Sequence, residues 1–137
     1  MARSSKSVIH YLSEAEIIAI NEEVISNFGG LHGVKDLNLL HLAAGRPQMS
    51  VAFQDAYKSI FNKAAALFHS IINNHPFLDG NKRTALLSAI SFLERNKWGI
   101  EFKRKEAVKF TRKAHNGNYT VEQISKWLKE HSVKIIK

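Results

Sequence analysis

The chain has 137 residues, 45% of them hydrophobic, which is enough for one domain with its own buried core. It contains no cysteine, so disulfides, thiolate nucleophiles and cysteine-ligated metal sites are excluded. The net charge is +8, and residues 97–137 hold eleven Lys or Arg against four Glu, so the C-terminal third favours acidic partners.

The N-terminal segment, residues 1–11, is basic and serine-rich at its start and has no apolar stretch long enough for a signal peptide. No part of the sequence reaches the roughly 20 consecutive apolar residues that a transmembrane helix needs. We therefore expect a soluble, cytoplasmic protein with no membrane partner. We expect its folded domain at residues 12–131, followed by a basic C-terminal tail at residues 132–137.

Two helices are predicted in the first third of the chain. Ser13 and Glu16 are spaced as a capping box, and the helix that they open carries apolar residues at helical spacing as far as Gly29. Asp36 is a suitable N-cap for a second, shorter helix, which Gly45 closes.

Two longer helices are predicted on either side of a short loop. Apolar residues recur at i, i+3 and i+4 from Tyr57 to Asn74, which indicates a central helix with a buried face. Pro76 ends this helix, because the residue before a proline is disfavoured in the helical conformation. A second strongly periodic pattern begins after Gly80 and runs to Asn96.

Two more helices are predicted at about residues 104–115 and 121–131, the latter opened by a capping box from Thr120 to Gln123. Residues 98–102, between the helix that runs to Asn96 and the helix at about residues 104–115, are predicted to be an extended connection. Strand patterns are otherwise scarce. The sequence therefore predicts an all-α fold, a compact single-domain helical bundle of about six helices with at most a short extended or hairpin segment.

The loop between the two long helices carries a candidate anion site. Lys82 and Arg83 lie in the first helical turn, where the helix dipole disfavours cations by roughly 0.3–1 kcal/mol each, so stability alone does not explain them. Unpaired backbone N–H groups at a helix start bind anions, and the two cations add to that attraction. Gly80 permits close approach of the backbone, and Asn81 adds an amide donor. These four residues predict a phosphate-binding site.

Asp79 precedes this site directly, and two interpretations remain open for it. A carboxylate next to bound phosphates is the ligand that Mg²⁺ requires from the protein. Aspartate is also a good helix N-cap, and the two roles are compatible.

His75 is the candidate general base, because imidazole has an ordinary pKa of about 6.5 and lies here beside a predicted phosphate site. Pro76 and Phe77 are predicted to support the loop, Pro76 by fixing the backbone and Phe77 by inserting into the core. The remaining histidines have no comparable setting in the sequence: His10, His32, His41, His69, His115 and His131.

Residues 75–85, His-Pro-Phe-Leu-Asp-Gly-Asn-Lys-Arg-Thr-Ala, resemble the motif of the Fic/Doc family. The likeness extends to residues 29–36, to residues 45–47 and to the helix that ends at Asn74, so that it covers about residues 12–130. The resemblance implies a catalytic domain in which His75 activates a target hydroxyl, Asp79 holds magnesium, and Gly80 to Arg83 bind the phosphates of ATP.

The sequence departs from the adenylylating Fic pattern at two positions. Lys82 stands where those enzymes have glycine, and Leu86 stands where many have a second arginine. The resemblance to the death-on-curing branch, which has this lysine, implies transfer of the terminal phosphate of ATP rather than of AMP. It also implies a toxin whose target is a translation factor such as elongation factor Tu. A separate antitoxin would bind as a helix.

Three alternatives remain open at this point. The first is a Fic-type adenylyltransferase that uses the same residues. The second is a basic nucleic-acid-binding module in which residues 103–113 contact phosphates and His75 is structural. The third is a non-catalytic Fic-fold protein that only binds a partner or a nucleotide. Nucleic acid is otherwise expected only through the antitoxin.

Overall fold

A computed structural model describes residues 8–117 and 119–136, so residues 1–7 of the expected N-terminal segment and Lys137 of the expected tail lie outside it. Within the described residues the chain forms six α-helices, which confirms the prediction of a compact all-α bundle. The helices are α1 (Glu14–Phe28), α2 (Leu37–Gly45), α3 (Ile60–Asn74), α4 (Asn81–Arg95), α5 (Arg104–His115) and α6 (Val121–Glu130).

Helices α3 and α4 form the centre of the fold. They pack against each other more extensively than any other pair of elements, α6 covers α3 and α1 covers α4. Phe68, Ile71 and Ile72 of α3 and Phe92 of α4 are completely buried, as their helical spacing predicts. The loop between α3 and α4 is therefore held between the two helices that form most of the buried core.

Side-chain caps define several of the helix starts. The capping boxes at the starts of α1 and α6 form as predicted, and Asp36 accepts a hydrogen bond from the Leu39 N–H at the start of α2. Helix α3 begins at Ile60 rather than at Tyr57, because the Ser59 hydroxyl caps it by accepting from the Asn62 N–H.

The strands are short and pair in twos. Strand β1 (Ser50–Val51) pairs antiparallel with β2 (Gln54–Asp55), and β3 (Trp98–Ile100) pairs antiparallel with β4 (Ser132–Lys134). The predicted extended connection is thus a strand. The segment expected as a basic tail begins with three residues paired to it.

In the described part of the chain, no helix combines the length and the apolar character that crossing a membrane requires.

Candidate active site

Two left-handed residues shape the loop between α3 and α4. His75 caps the C-terminal end of α3 at φ 50° and ψ 61°, and its N–H donates to the Ile71 carbonyl at 3.2 Å. Gly80 precedes α4 at φ 77° and ψ 16°, a conformation that glycine adopts without steric cost. The chain therefore ends one helix and begins the next with only six residues, 75–80, between them, and His75 lies at one side of the turn.

Backbone hydrogen bonds tie this loop to residues 33–36. The N–H groups of Lys35 and Asp36 donate to the Pro76 carbonyl at 2.7 and 3.1 Å, and the Leu78 N–H donates to the Gly33 carbonyl at 3.0 Å. Phe77 is 1% exposed, packs in the core and forms an isolated β-bridge with Val34. The loop is thus anchored both by core packing and by a neighbouring segment.

The side chain of Asn81 closes the loop from inside. Its carbonyl oxygen accepts from the Phe77 N–H at 3.0 Å, and its amide nitrogen donates to the Phe77 carbonyl at 2.9 Å. The sequence suggested that this amide is a phosphate donor. The geometry directs it to the loop backbone instead, so that the main-chain N–H of Asn81 and one remaining amide hydrogen are left to contact an anion.

Asp79 is not the N-cap of α4, contrary to one of the two interpretations of its sequence position. The N-cap is Gly80, which provides no side-chain hydrogen bond to the first turn. The Asp79 carboxylate instead accepts from the Leu31 N–H at 2.7 Å. The residue is drawn toward the loop after α1, and the start of α4 stays uncapped.

The first turn of α4 consequently presents free backbone donors. The first intrahelical bond is from the Thr84 N–H to the Gly80 carbonyl at 2.9 Å. The N–H groups of residues 81–83 precede it and have no helical acceptor. The side chains of Lys82 and Arg83 are exposed beside them, and the Arg83 guanidinium lies 4.0 Å from the ring centre of Phe28. This combination of donors and cations suits phosphate groups.

Asn21 is a site residue that the sequence analysis missed. It is 1% exposed, and its amide nitrogen donates to the Asp79 carbonyl at 2.9 Å and to the Thr84 hydroxyl at 3.1 Å. It thereby links α1 to both ends of the anion site. The available signal was a polar residue on the apolar face of α1, between Ile17 and Val24.

A cleft of about 310 Å³ brings the predicted residues together. It is lined by His75, Leu78, Asp79, Gly80, Asn81, Lys82, Arg83 and His115. His115 was judged from the sequence to have no special setting, and this was wrong. The end of α5 brings its ring edge-on to that of His75, with 5.1 Å between the ring centres. Its Nδ1 is buried, with no hydrogen-bond partner in the described residues.

The surroundings of His75 favour its neutral form. Burial lowers the pKa of its imidazole below the ordinary value, and the nearby charges of His115, Lys35 and Lys82 lower it further. A neutral imidazole at physiological pH is able to accept a proton, which is what a general base must do.

Asp79 is the carboxylate available to a metal ion in this cleft. Hydrogen bonds from the described residues reach only one of its two oxygens. Residues 8–117 and 119–136 contain no group of three or more His, Cys, Asp or Glu side chains that could hold a metal by themselves. Mg²⁺ fits this donor set, because it is commonly held by one or two carboxylates together with substrate phosphates and water.

Comparison with known proteins agrees with the fold. The model of the Fic/DOC family matches residues 11–93, which include α1, α3, the loop and most of α4. The chain therefore belongs to the Fic/Doc family.

Within that family, two curated proteins are similar to it. It is 34% identical to the "Protein kinase doc" of Escherichia phage P1 over 122 residues, which is 88% of this chain and 94% of that protein. It is 49% identical to the "Toxin Doc" of Mycolicibacterium smegmatis over 69 residues, 50% of this chain, and spans about half (53%) of that relative's length. The similarity places the chain with the death-on-curing toxins of the family.

Proposed function

We propose that the chain is a Doc-like toxin that transfers the terminal phosphate of ATP to a hydroxyl group of a target protein. The observation that carries the proposal is the single cleft in which a neutral His75 faces the uncapped, cationic start of α4. A proton acceptor and an anion site in one cleft are the two elements that phosphoryl transfer requires from a protein.

Each group in the cleft has a role in this reaction. The N–H groups of residues 81–83, with Lys82 and Arg83, bind the phosphates of ATP and stabilise the charge that develops on them. The target hydroxyl gives its proton to His75 while its oxygen bonds to the γ-phosphorus. The bond between that phosphorus and the β,γ-bridging oxygen breaks, and ADP leaves. Magnesium, held by Asp79 and the phosphates, would neutralise phosphate charge.

Lys82 is the residue that favours phosphate transfer over AMP transfer. Its ammonium group lies at the start of α4, where it can pair with one phosphate and fix which phosphorus faces His75. In the alternative reaction, adenylyl transfer, the same base would direct the hydroxyl to the α-phosphorus and pyrophosphate would leave. The name "Protein kinase doc" of the phage relative supports the first reaction.

The target and the regulation follow the same branch of the family. We propose that the target is a translation factor such as elongation factor Tu, that its modification arrests growth, and that the protein acts in the cytoplasm as a catalytic unit of residues 12–131. We further propose a separate antitoxin that binds as a helix. An apolar groove of about 320 Å³ between α1 and α4, bordered by the exposed Phe28 and Leu87, is the kind of surface that an amphipathic helix covers.

Incubation of a bacterial lysate with the protein and with ATP labelled at either the γ- or the α-phosphorus tests the proposal. We expect a protein band labelled only from γ-labelled ATP. The matched variant is Lys82→Gly, which we expect to lose this label. Labelling from the α position by the wild-type protein would instead assign adenylyl transfer and leave the role of His75 standing.

A further inference from the structure

Three clefts follow one another along the surface, starting from the candidate active site. The active-site cleft shares Lys82 and Arg83 with a second cleft of about 400 Å³ between α4 and α5. The second cleft shares Arg104 and Val108 with a third, of about 490 Å³, on the outer face of α5. A continuous depressed surface therefore leads from His75 onto α5.

The third cleft, which we call the α5 track, is strongly cationic. Its lining residues are Arg104, Lys105, Val108, Lys109 and Arg112. No salt bridge formed by residues 8–117 and 119–136 involves any of its four cations. Glu106, the acidic residue of α5, accepts from the Lys103 N–H and lies 3.8 Å from His131 instead.

The stability of α5 does not account for these cations. The helix is held by Ala107, Phe110 and Ala114, which are buried on its opposite face. Lys105 and Lys109 are four residues apart and repel each other, and Arg104 and Lys105 lie at the helix start, where the dipole disfavours positive charge. A surface that concentrates unpaired cations against these local costs is suited to an acidic ligand.

The floor of the second cleft indicates what kind of acidic ligand fits. Apolar groups of Leu86, Phe102 and Ala107 line it between the cations, and Phe28 is covered by the Arg83 guanidinium. A polypeptide with alternating acidic and apolar side chains matches cations around an apolar floor. A single-stranded nucleic acid also offers phosphates, but its bases commonly stack on aromatic rings, and the Arg83 guanidinium already lies over the Phe28 ring.

We propose that the α5 track binds an acidic segment of the protein substrate and thereby delivers the hydroxyl to be modified to His75. This inference rests on the proposed function, because it requires that a protein is modified in the active-site cleft. The second cleft connects the track to the phosphate site, so that ATP and the segment bind in neighbouring clefts. Its cations are separate from the residues assigned to ATP.

A pair of charge-reversal variants tests the track. Lys105→Glu/Lys109→Glu reverses two of its cations. Lys126→Glu/Lys129→Glu makes the same change in net charge on the exposed face of α6 and is the control. Lys105→Gln/Lys109→Gln provides a milder change if the first variant unfolds, and circular dichroism monitors folding in each case. Binding of a fluorescent ATP analogue should be the same in all of them.

Two readouts are compared. The first is anisotropy of a short fluorescein-labelled peptide of alternating glutamate and leucine, for which we expect about tenfold weaker binding to the α5 variant than to the wild type or the α6 control. The second is the rate of labelling in lysate from γ-labelled ATP, which should fall with the same pattern, and the difference in rate between the α5 variant and the wild type should become smaller at high salt.

The outcomes separate the inference from the proposed function. Equal labelling by the α5 variant and the wild type would overturn the inference and leave the proposed function intact. Tighter binding of a short DNA duplex than of the peptide, lost in the α5 variant, would overturn it in favour of a nucleic-acid surface. Absence of labelling by the wild type would refute the proposed function together with the substrate role of the track, and peptide binding would then decide whether the track binds acidic segments at all.

Discussion

His75 acquires its chemistry from residues that are distant in the sequence. Its own neighbours place it at the end of α3 and fix its backbone. Burial and the charges of His115, Lys35 and Lys82 then lower the pKa of its imidazole. Three of these four influences come from other segments of the chain or from the tertiary fold, so the sequence could identify the base but not its environment.

The first prediction concerns His115. Replacing it by glutamine removes the imidazole whose electrostatic effect lowers the pKa of His75, so the pKa of His75 should rise toward its ordinary value of about 6.5. Activity requires the neutral base and is lost as the pH falls through that pKa. The acidic limb of the rate profile should therefore lie below pH 6.5 in the wild type and move to higher pH in the variant. An unchanged profile, with a normal fold, would show that His115 does not act on His75.

The second prediction separates the charge of Asp79 from its hydrogen bond. Asp79→Asn keeps an oxygen that can accept from the Leu31 N–H but loses the charge that holds magnesium. It should unfold in urea at nearly the wild-type concentration and require more Mg²⁺ for half-maximal activity. Asp79→Ala should have the same Mg²⁺ defect and also lose about 1 kcal/mol of the free energy of unfolding. If Asp79→Asn shows a wild-type Mg²⁺ response, the carboxylate is only a structural acceptor.

Among the elements, those with local signals were predicted well. The capping boxes opened α1 and α6 at the predicted residues, and the apolar spacing identified α3 and α4 as the buried pair.

Lys63 is a residue whose burial the local sequence pattern does not predict. It is 1% exposed in the first turn of α3, and its ammonium group donates to the Pro47 carbonyl and to Asp55. Those partners lie in the preceding segment, and no periodicity indicates them.

The anion site was predicted in position but not in all of its parts. The motif predicted the positions of the loop and of the start of α4, because the residues of both are continuous in the sequence. The hydrogen bonds from Asn21 and Leu31 to Asp79 join residues 58 and 48 positions apart. Such contacts depend on how α1 packs against α4. Because of these contacts, Asp79 does not cap α4 but links the loop before α4 to the loop after α1.

The third prediction concerns Gly80 at the start of α4. A Cβ there would lie 3.0 Å from Ile25 Cδ1 and 3.1 Å from Val24 Cγ1, in addition to the strain of a φ of +77°. Gly117 has nearly the same φ, +75°, with no atom within 4 Å, and is the matched control. Gly117→Ala should cost about 1 kcal/mol of the free energy of unfolding, and Gly80→Ala should cost clearly more. Equal losses in urea denaturation would mean that α1 does not restrict the loop.

At the scale of the whole molecule, the fold shows where the cations of the basic C-terminal third lie relative to the active-site cleft. Composition indicated that residues 97–137 attract acidic partners but could not say where their charges lie. The fold places α5 against α4, so that its cations adjoin the cleft that Lys82 and Arg83 line. The helical bundle thereby places a base, an anion site and a cationic surface along adjoining clefts. The shape of these clefts depends on helix packing, which sequence spacing alone does not determine.

The most direct test of the account is mass spectrometry of a target protein recovered from lysate after incubation with ATP and either the wild-type protein or His75→Ala. We expect the wild type to add a phosphate to a hydroxyl side chain and His75→Ala to add nothing, although this variant should still bind a fluorescent ATP analogue with wild-type affinity. Undiminished phosphate addition by His75→Ala would contradict the assignment of His75 as the base. An AMP adduct formed by the wild type would contradict transfer of the terminal phosphate.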